Sequence, residues 1–202
     1  MQVKLSQAVK MFFGNSSLEM VFFEAIANAL DAEANEITIS ITAKALNQPE
    51  TLQIEISDNG LGFTNERYNK FSKLFDVEES SHKGLGRLVY LCYFDDVKVI
   101  SNYDKVKVRE FDFNEGFKED NFKSSIVPET KSGTVFKMTS YVLQRIAKNE
   151  YVSADYLKSR ILQEFYSRLF HLKDNGQRVV ININTNIENH KKELILLIRQ
   201  HY

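Results

Sequence analysis

The chain has 202 residues, 43% hydrophobic and 26% charged, which allows one domain with a substantial buried core. A formal net charge of −1 gives no global basic field for nucleic acid or an anionic membrane, and the single cysteine, Cys92, excludes an internal disulfide framework. The four histidines lack zinc-ligand spacing, no apolar run is long enough to span a bilayer, and residues 1–17 lack a signal peptide's apolar core. The cytoplasm is therefore the expected compartment.

In chain order, Ser16 and Glu19 are spaced as a capping box and predict a helix from about Leu18 to Ala32. Ile37, Ile39 and Ile41 alternate with polar residues, as do Leu52, Ile54 and Ile56, which predicts two strands joined through a hairpin loop at Asn47–Glu50. The glycine-punctuated DNGLGF follows at Asp58–Phe63, then a polar stretch to Lys83. A helix is expected to open at Gly84-Leu85-Gly86 and run through Leu91, with Cys92 on its apolar, core-facing side. Val97–Ser101, Lys105–Phe113, Thr134–Ser140 and Val179–Asn184 read as further strands. Ser153 is placed to cap a helix to about Leu172, whose Leu157, Ile161, Phe165 and Leu169 form a packing stripe. Residues 188–202 are expected to form a C-terminal helix, and their apolar run suggests a link toward further domains.

Three segments carry candidate chemistry. On the first helix Glu24, Asn28 and Asp31 lie within roughly 60° of one another, opposite Phe22, Phe23, Ile26 and Leu30. Asn and Asp are poor mid-helix residues, and Glu24 has no basic partner at helical spacing. Asp58-Asn59-Gly60 is a turn signal after a strand, and the second glycine, Gly62, asks for a positive φ or close approach of a ligand to backbone. In HKGLGRL, glycines opening a helix would leave backbone N–H groups free for phosphate, flanked by Lys83 and Arg87. Taken singly, each segment also fits an ordinary polar helix face, a tight turn or a flexible loop.

The order of the three, followed by Ser132-Gly133-Thr134 before a strand, resembles the N box, G1 box, G2 box and terminal Gly-Thr of the gyrase, heat-shock-chaperone, histidine-kinase and MutL (GHKL) superfamily. The run EAIANALDAEANEITISI is similar to the stretch in MutL and the ninety-kilodalton heat-shock chaperone. The resemblance implies a Bergerat fold: an α/β (α+β) two-layer sandwich whose mixed, mostly antiparallel sheet has helices on one face. It would span residues 1–187, with an ATP lid at about 64–83. It implies that Glu24 activates the attacking water and that Asn28 ligates magnesium. Asp58 would accept from the adenine amino group with Thr134 in support, and Gly60 and Gly62 would let backbone approach the nucleotide. Lys83, Gly84, Leu85 and Gly86 would hold phosphate. Asp31 is left between orienting Asn28, contacting water and capping backbone.

Two departures accompany the resemblance. Ser81 stands where the fuller GxxGxG pattern has its first glycine, and several relatives complete catalysis with a residue from a following domain. The implied function is a magnesium-dependent ATPase module that couples ATP or ADP occupancy to lid closure and homodimerisation, acting on a protein client. A non-hydrolysing nucleotide switch remains open. So does the catalytic half of a histidine kinase, although Glu24 is commonly Asn or His there and residues 1–17 contain no histidine.

Overall fold

Alternation of apolar and polar side chains builds eight strands in the computed structural model, which describes Val9 and residues 13–73, 85–146, 148–188 and 190–198. They are β1 (Glu36–Ala43), β2 (Gln53–Asp58), β3 (Phe94–Tyr103), β4 (Lys107–Phe113), β5 (Lys123–Ile126), β6 (Gly133–Tyr141), β7 (Val179–Ile187) and β8 (His190–Ile198). One sheet contains them all, in the order β5-β4-β3-β6-β2-β1-β7-β8. Every neighbouring pair is antiparallel except β1 and β7. Ile37, Ile39, Ile54, Ile56, Val97, Val99, Phe136, Met138, Ile181 and Ile183 are buried, while Gln53, Glu55, Lys98 and Lys137 on the alternate positions are exposed. Two helices cover the apolar face, α1 (Glu19–Asp31) on β1 and β2, and the long α4 (Ala154–Asp174) on β7 and β8. They meet where Phe23 and Phe165 pack edge to face. The result is the expected α/β two-layer sandwich. Among the described residues no helix is long and apolar enough to cross a membrane.

The start of α1 departs from the expected capping box. Its N-cap is Leu18, with no side-chain cap. Ser16 instead lies 3.3 Å from the Tyr93 hydroxyl, which donates to the Ser16 carbonyl at 2.6 Å. Glu19 turns away from the helix end and accepts from Arg160 (3.1 Å) and Tyr156 (2.7 Å) on α4. The box fails because both of its members have stronger tertiary partners. Ser153 likewise caps α4 through its carbonyl, which accepts from Leu157 N, and not through its side chain.

The C-terminal segment corrects a second expectation. It is no helix: His190–Ile198 forms β8, antiparallel to β7. The run LILLI suits either period, and Leu favours helices, so the pattern alone does not decide. The open edge of β7 does, since its ladder groups need partners. Register sets Leu194, Leu196 and Ile198 opposite the buried Ile183, Ile181 and Val179, so Leu196 is buried and the other two pack partly buried against the core.

Two elements were not anticipated. β5 reads Lys-Ser-Ser-Ile, and all four residues are exposed, so it has no alternation to reveal it. The polar stretch after DNGLGF begins with α2 (Asn65–Ser72), capped by Thr64 Oγ1 accepting from Arg67 N. Its buried residues are Tyr68, Phe71 and Ser72, of which only the two aromatics could mark a core-facing side. Phe71 packs against Phe63, Phe111, Phe113 and Phe117, which settles where that part of the expected lid places its apolar groups. The remainder of the lid, including Leu74 and Phe75, lies outside the described residues.

The buried carboxylate between α1 and α4 yields a test. Burial pushes the Glu19 carboxyl up, but the bonds from Arg160 and Tyr156 and the arginine's charge outweigh it, and the group lies below its ordinary value. A carboxylate held low contributes stability that is present above its ordinary value and lost as pH falls through the folded one. Glu19→Gln should therefore lower the midpoint of urea unfolding at about pH 7, with the deficit shrinking toward about pH 3. An equal deficit at both ends of that range would mean that the charge does not hold the contact.

Candidate functional site

Helical spacing places Glu24 and Asn28 one turn apart on α1, and the asparagine amide donates to Glu24 Oε1 at 3.0 Å. From the far side, the backbone of Gly86 presses against the same carboxylate. A Cβ added at Gly86 would lie 2.1 Å from Glu24 Oε2. Gly86 begins a 3₁₀ segment, Gly86–Val89, which passes directly into the short helix α3 (Tyr90–Tyr93). Among the described residues the helix expected from the Gly84-Leu85-Gly86 opening begins at Gly86 as 3₁₀ and turns α only at Tyr90, and Leu88 N donates to the Leu85 carbonyl in the tighter i to i+3 pattern. Burial raises the Glu24 carboxyl above its ordinary value, against opposing effects from Asn28 and the charge of Arg87.

At the end of β2, Asp58 Oδ1 accepts from Gly60 N at 2.8 Å. Asp58 faces Thr134 in the β2–β6 register. Burial raises this carboxyl too, offset in part by the backbone N–H groups of Gly60 and Thr134 and by the charge of Arg67. Thr134 is held by Ser101, whose hydroxyl lies 3.2 Å from Thr134 Oγ1, donates to the Gly133 carbonyl and accepts from Phe63 N at 2.7 Å. Ser101 was missed from sequence, yet a signal existed. It shares the inward parity of Val97, Val99 and Tyr103 on β3, where a serine is out of place.

The glycines of DNGLGF serve different ends. Gly60 is buried against the end of α1, and a Cβ there would lie 2.5 Å from the Ala32 carbonyl oxygen. Gly62 lines the cavity with φ +71°, a conformation that side chains disfavour, and a Cβ would lie 2.3 Å from the Asn102 carbonyl oxygen.

Between these walls is a cavity of about 390 Å³, within the size range of small-molecule sites. Asn28, Asp31, Asp58, Gly62 and Thr134, expected from sequence, all line it, as do Phe63 and Phe136. So do three cations: Arg67 and Lys70 of α2, and Arg87. Glu24 joins the site through Asn28 and Gly86. Asp31 does not orient Asn28. Its carboxylate pairs with Arg168 of α4 at 2.7 Å, and its carbonyl accepts from Arg67. Leu85 packs on the core and is absent from the cavity lining. Lys83 and Gly84 lie outside the described residues.

The match of the family model for histidine kinase-, DNA gyrase B- and HSP90-like ATPases to residues 14–140 decides the affiliation. The chain belongs to that family. Membership supports ATP as the ligand of the cavity. No curated protein matches the chain by sequence. Among solved structures, the fold is similar to the topoisomerase IV ATP-binding domain of Francisella tularensis in complex with a small-molecule inhibitor. That match has TM-score 0.61 and 16% identity, and covers 97% of this chain and 93% of that one. An N-terminal domain of a DNA repair protein matches with TM-score 0.54 and 16% identity, covering 96% of this chain and 55% of that one. The Aquifex aeolicus MutL ATPase domain complexed with ADP matches with TM-score 0.50 and 16% identity, covering 92% of this chain and 65% of that one. This chain thus spans little more than half of the repair protein's domain and about two thirds of the MutL domain.

The raised Glu24 carboxyl gives a stability test. A carboxyl whose folded value lies above its ordinary one favours folding below the ordinary value, and that contribution is lost as pH rises through the folded value. At neutral pH the ionised Glu24 is therefore a cost. Glu24→Gln removes it and keeps an oxygen for the Asn28 amide. The ligand-free variant should melt higher than wild type at about pH 7, and its advantage should fade as pH drops toward the ordinary carboxylate range. A lower melting temperature for the variant across that range would contradict the assigned environment.

Proposed function

We propose that this ATP-binding domain hydrolyses ATP in a magnesium-dependent reaction and uses nucleotide occupancy to drive lid closure and dimerisation. The observation that carries the reading is the pairing of two different walls around one cavity. Asp58 with Thr134 offers a carboxylate and a hydroxyl for a nucleobase, and Asn28, with Glu24 bonded to it from behind the cavity lining, offers an acid–amide pair for hydrolysis.

In this reading Asp58 accepts from the adenine amino group, as an oxygen already oriented by Gly60 and Thr134. Gly62, free of a side chain, lets the base lie against the β3 edge of the pocket. Glu24 takes the proton of the attacking water. Burial moves its value upward, the direction that suits a general base.

The donor set fits magnesium. The amide nitrogen of Asn28 donates to Glu24, and its oxygen is the hard donor this ion prefers. Among the described residues no cluster of three or more His, Cys, Asp or Glu could hold a metal unaided, so the ion would take most of its ligands from phosphate and water. When bound, it neutralises charge on the phosphate oxygens as the terminal bond breaks. Residues 64–83 are the proposed lid, with α2 as its docked first part. Lys83 and Gly84 are proposed phosphate contacts beside Gly86. The partner is proposed to be a second copy of this chain, with a protein client beyond it.

Base recognition is checked by Asp58→Asn. The variant should fold and lose roughly five- to 150-fold in ATP affinity by calorimetry, the equivalent of about 1–3 kcal/mol for an unpaired donor. Unchanged affinity would remove Asp58 from adenine recognition.

Hydrolysis is checked by phosphate release. Glu24→Ala should bind magnesium-ATP yet release no phosphate, whereas Asn28→Ala should lose the magnesium-dependent part of binding. Gly86→Ala should behave like Glu24→Ala, because its methyl group displaces the end of a flexible carboxylate while the backbone stays in place. Wild-type turnover no faster than that of Glu24→Ala would favour the non-hydrolysing switch, and undiminished turnover in Glu24→Ala would exclude Glu24 as the base.

A further inference from the structure

A cation taken out of water needs an anion or a full set of acceptors, and among the described residues Arg87 has neither. Its residue is 5% exposed. A guanidinium carries five N–H donors. Here Nη2 donates to the Lys73 carbonyl at 2.9 Å and Nη1 reaches the Lys70 carbonyl at 3.3 Å. Nε is buried without a partner. The Phe71 ring lies 4.9 Å beneath the guanidinium carbon and offers only its π-face. Among the described residues no carboxylate pairs with Arg87, whereas Arg160 is matched by Glu19 and Arg168 by Asp31.

The placement of this charge is specific. Arg87 lines the cavity with Asn28. Its neighbour Gly86 touches the Glu24 carboxylate, and the charges of Glu24 and Arg87 act on each other, whereas Asp58 responds to Arg67. Arg87 therefore belongs to the Glu24 end of the pocket. Burial lowers it to about 10, so it stays positive at neutral pH. Glu24 does not answer this charge by contact, because it bonds Asn28 through one oxygen and is packed against Gly86 at the other.

We propose that Arg87 is the nucleotide's phosphate-binding cation, donating from its unspent N–H groups to the terminal phosphate of ATP. The assignment rests on the reading of this cavity as the ATP site. A planar guanidinium matches phosphate oxygens in geometry, and its charge strengthens each bond. Bound at the Glu24 end, it also stabilises the charge that gathers on the departing phosphate group. The two carbonyls at the end of α2 hold the side chain in position before nucleotide arrives.

Calorimetric titration of wild type, Arg87→Gln and Arg87→Lys with ATP, ADP and adenosine tests this directly. Arg87→Gln should bind adenosine within about twofold of wild type and ATP about ten- to hundredfold more weakly, with a smaller loss for ADP. Arg87→Lys, which keeps the charge without the fork, should fall between. If Arg87→Gln does not melt cooperatively, Arg87→Lys decides, by whether its loss for ATP exceeds its loss for adenosine. Equal losses for all three ligands would reduce Arg87 to a structural support of α2, and an unchanged ATP affinity would remove it from the site. Asp58→Asn separates the two ideas, since it should weaken adenosine as well as ATP. Wild type that binds none of the three ligands would overturn the ATP reading and this assignment together.

Discussion

The seating of α2 on two buried guanidinium groups governs the shape of the pocket. Arg109, from an inward position on β4, donates to the carbonyls of Phe63 and Thr64 and to the Asn65 side chain, where the helix begins. The rings of Tyr68, Tyr103 and Phe122 surround it at 4.5 to 4.9 Å. Arg87 meets the carbonyls at the other end, where a helix carries partial negative charge. An eight-residue helix is too short to persist alone, so these anchors and the Phe71 cluster keep it formed. Remove the Arg109 anchor and the wall that carries Arg67 and Lys70 loses its position.

The two acids of the site are held differently from the acid between α1 and α4. Glu19 gains more from Arg160 and Tyr156 than it loses by burial, and it ties two helices together. Glu24 and Asp58 lose more by burial than their neighbours return. Asp58 lines the cavity, and Glu24 lies behind its wall, bonded to Asn28, which does line it.

Much of this was legible in the sequence. The alternations at Ile37–Ile41 and Ile54–Ile56 fixed two central strands, and the polar face at Glu24, Asn28 and Asp31 marked the pocket wall on α1. What stayed hidden followed from tertiary context. A run such as LILLI carries no period of its own until the open edge of β7 chooses one. Ser16 and Glu19 have the spacing of a cap, but Tyr93 and Arg160 compete for them from 77 and 141 residues away. Arg87 and Arg109 look like surface charges in composition. Only the parity of β4 and the position of Arg87 after two glycines hint that they point inward.

The parallel pairing of β1 with β7 also shapes how the chain assembles. Glu36 to Ala43 lie in the middle of the sheet, yet their neighbours on one side are Val180 to Ile187. During synthesis β1 can pair with β2 early, but its other edge must wait for nearly the whole domain to emerge. Closing so long a loop is entropically slow, and the branched apolar strand stays open to mispairing meanwhile. Folding on the ribosome should therefore finish late, with a helper that shields strand edges being of most use before β7 appears.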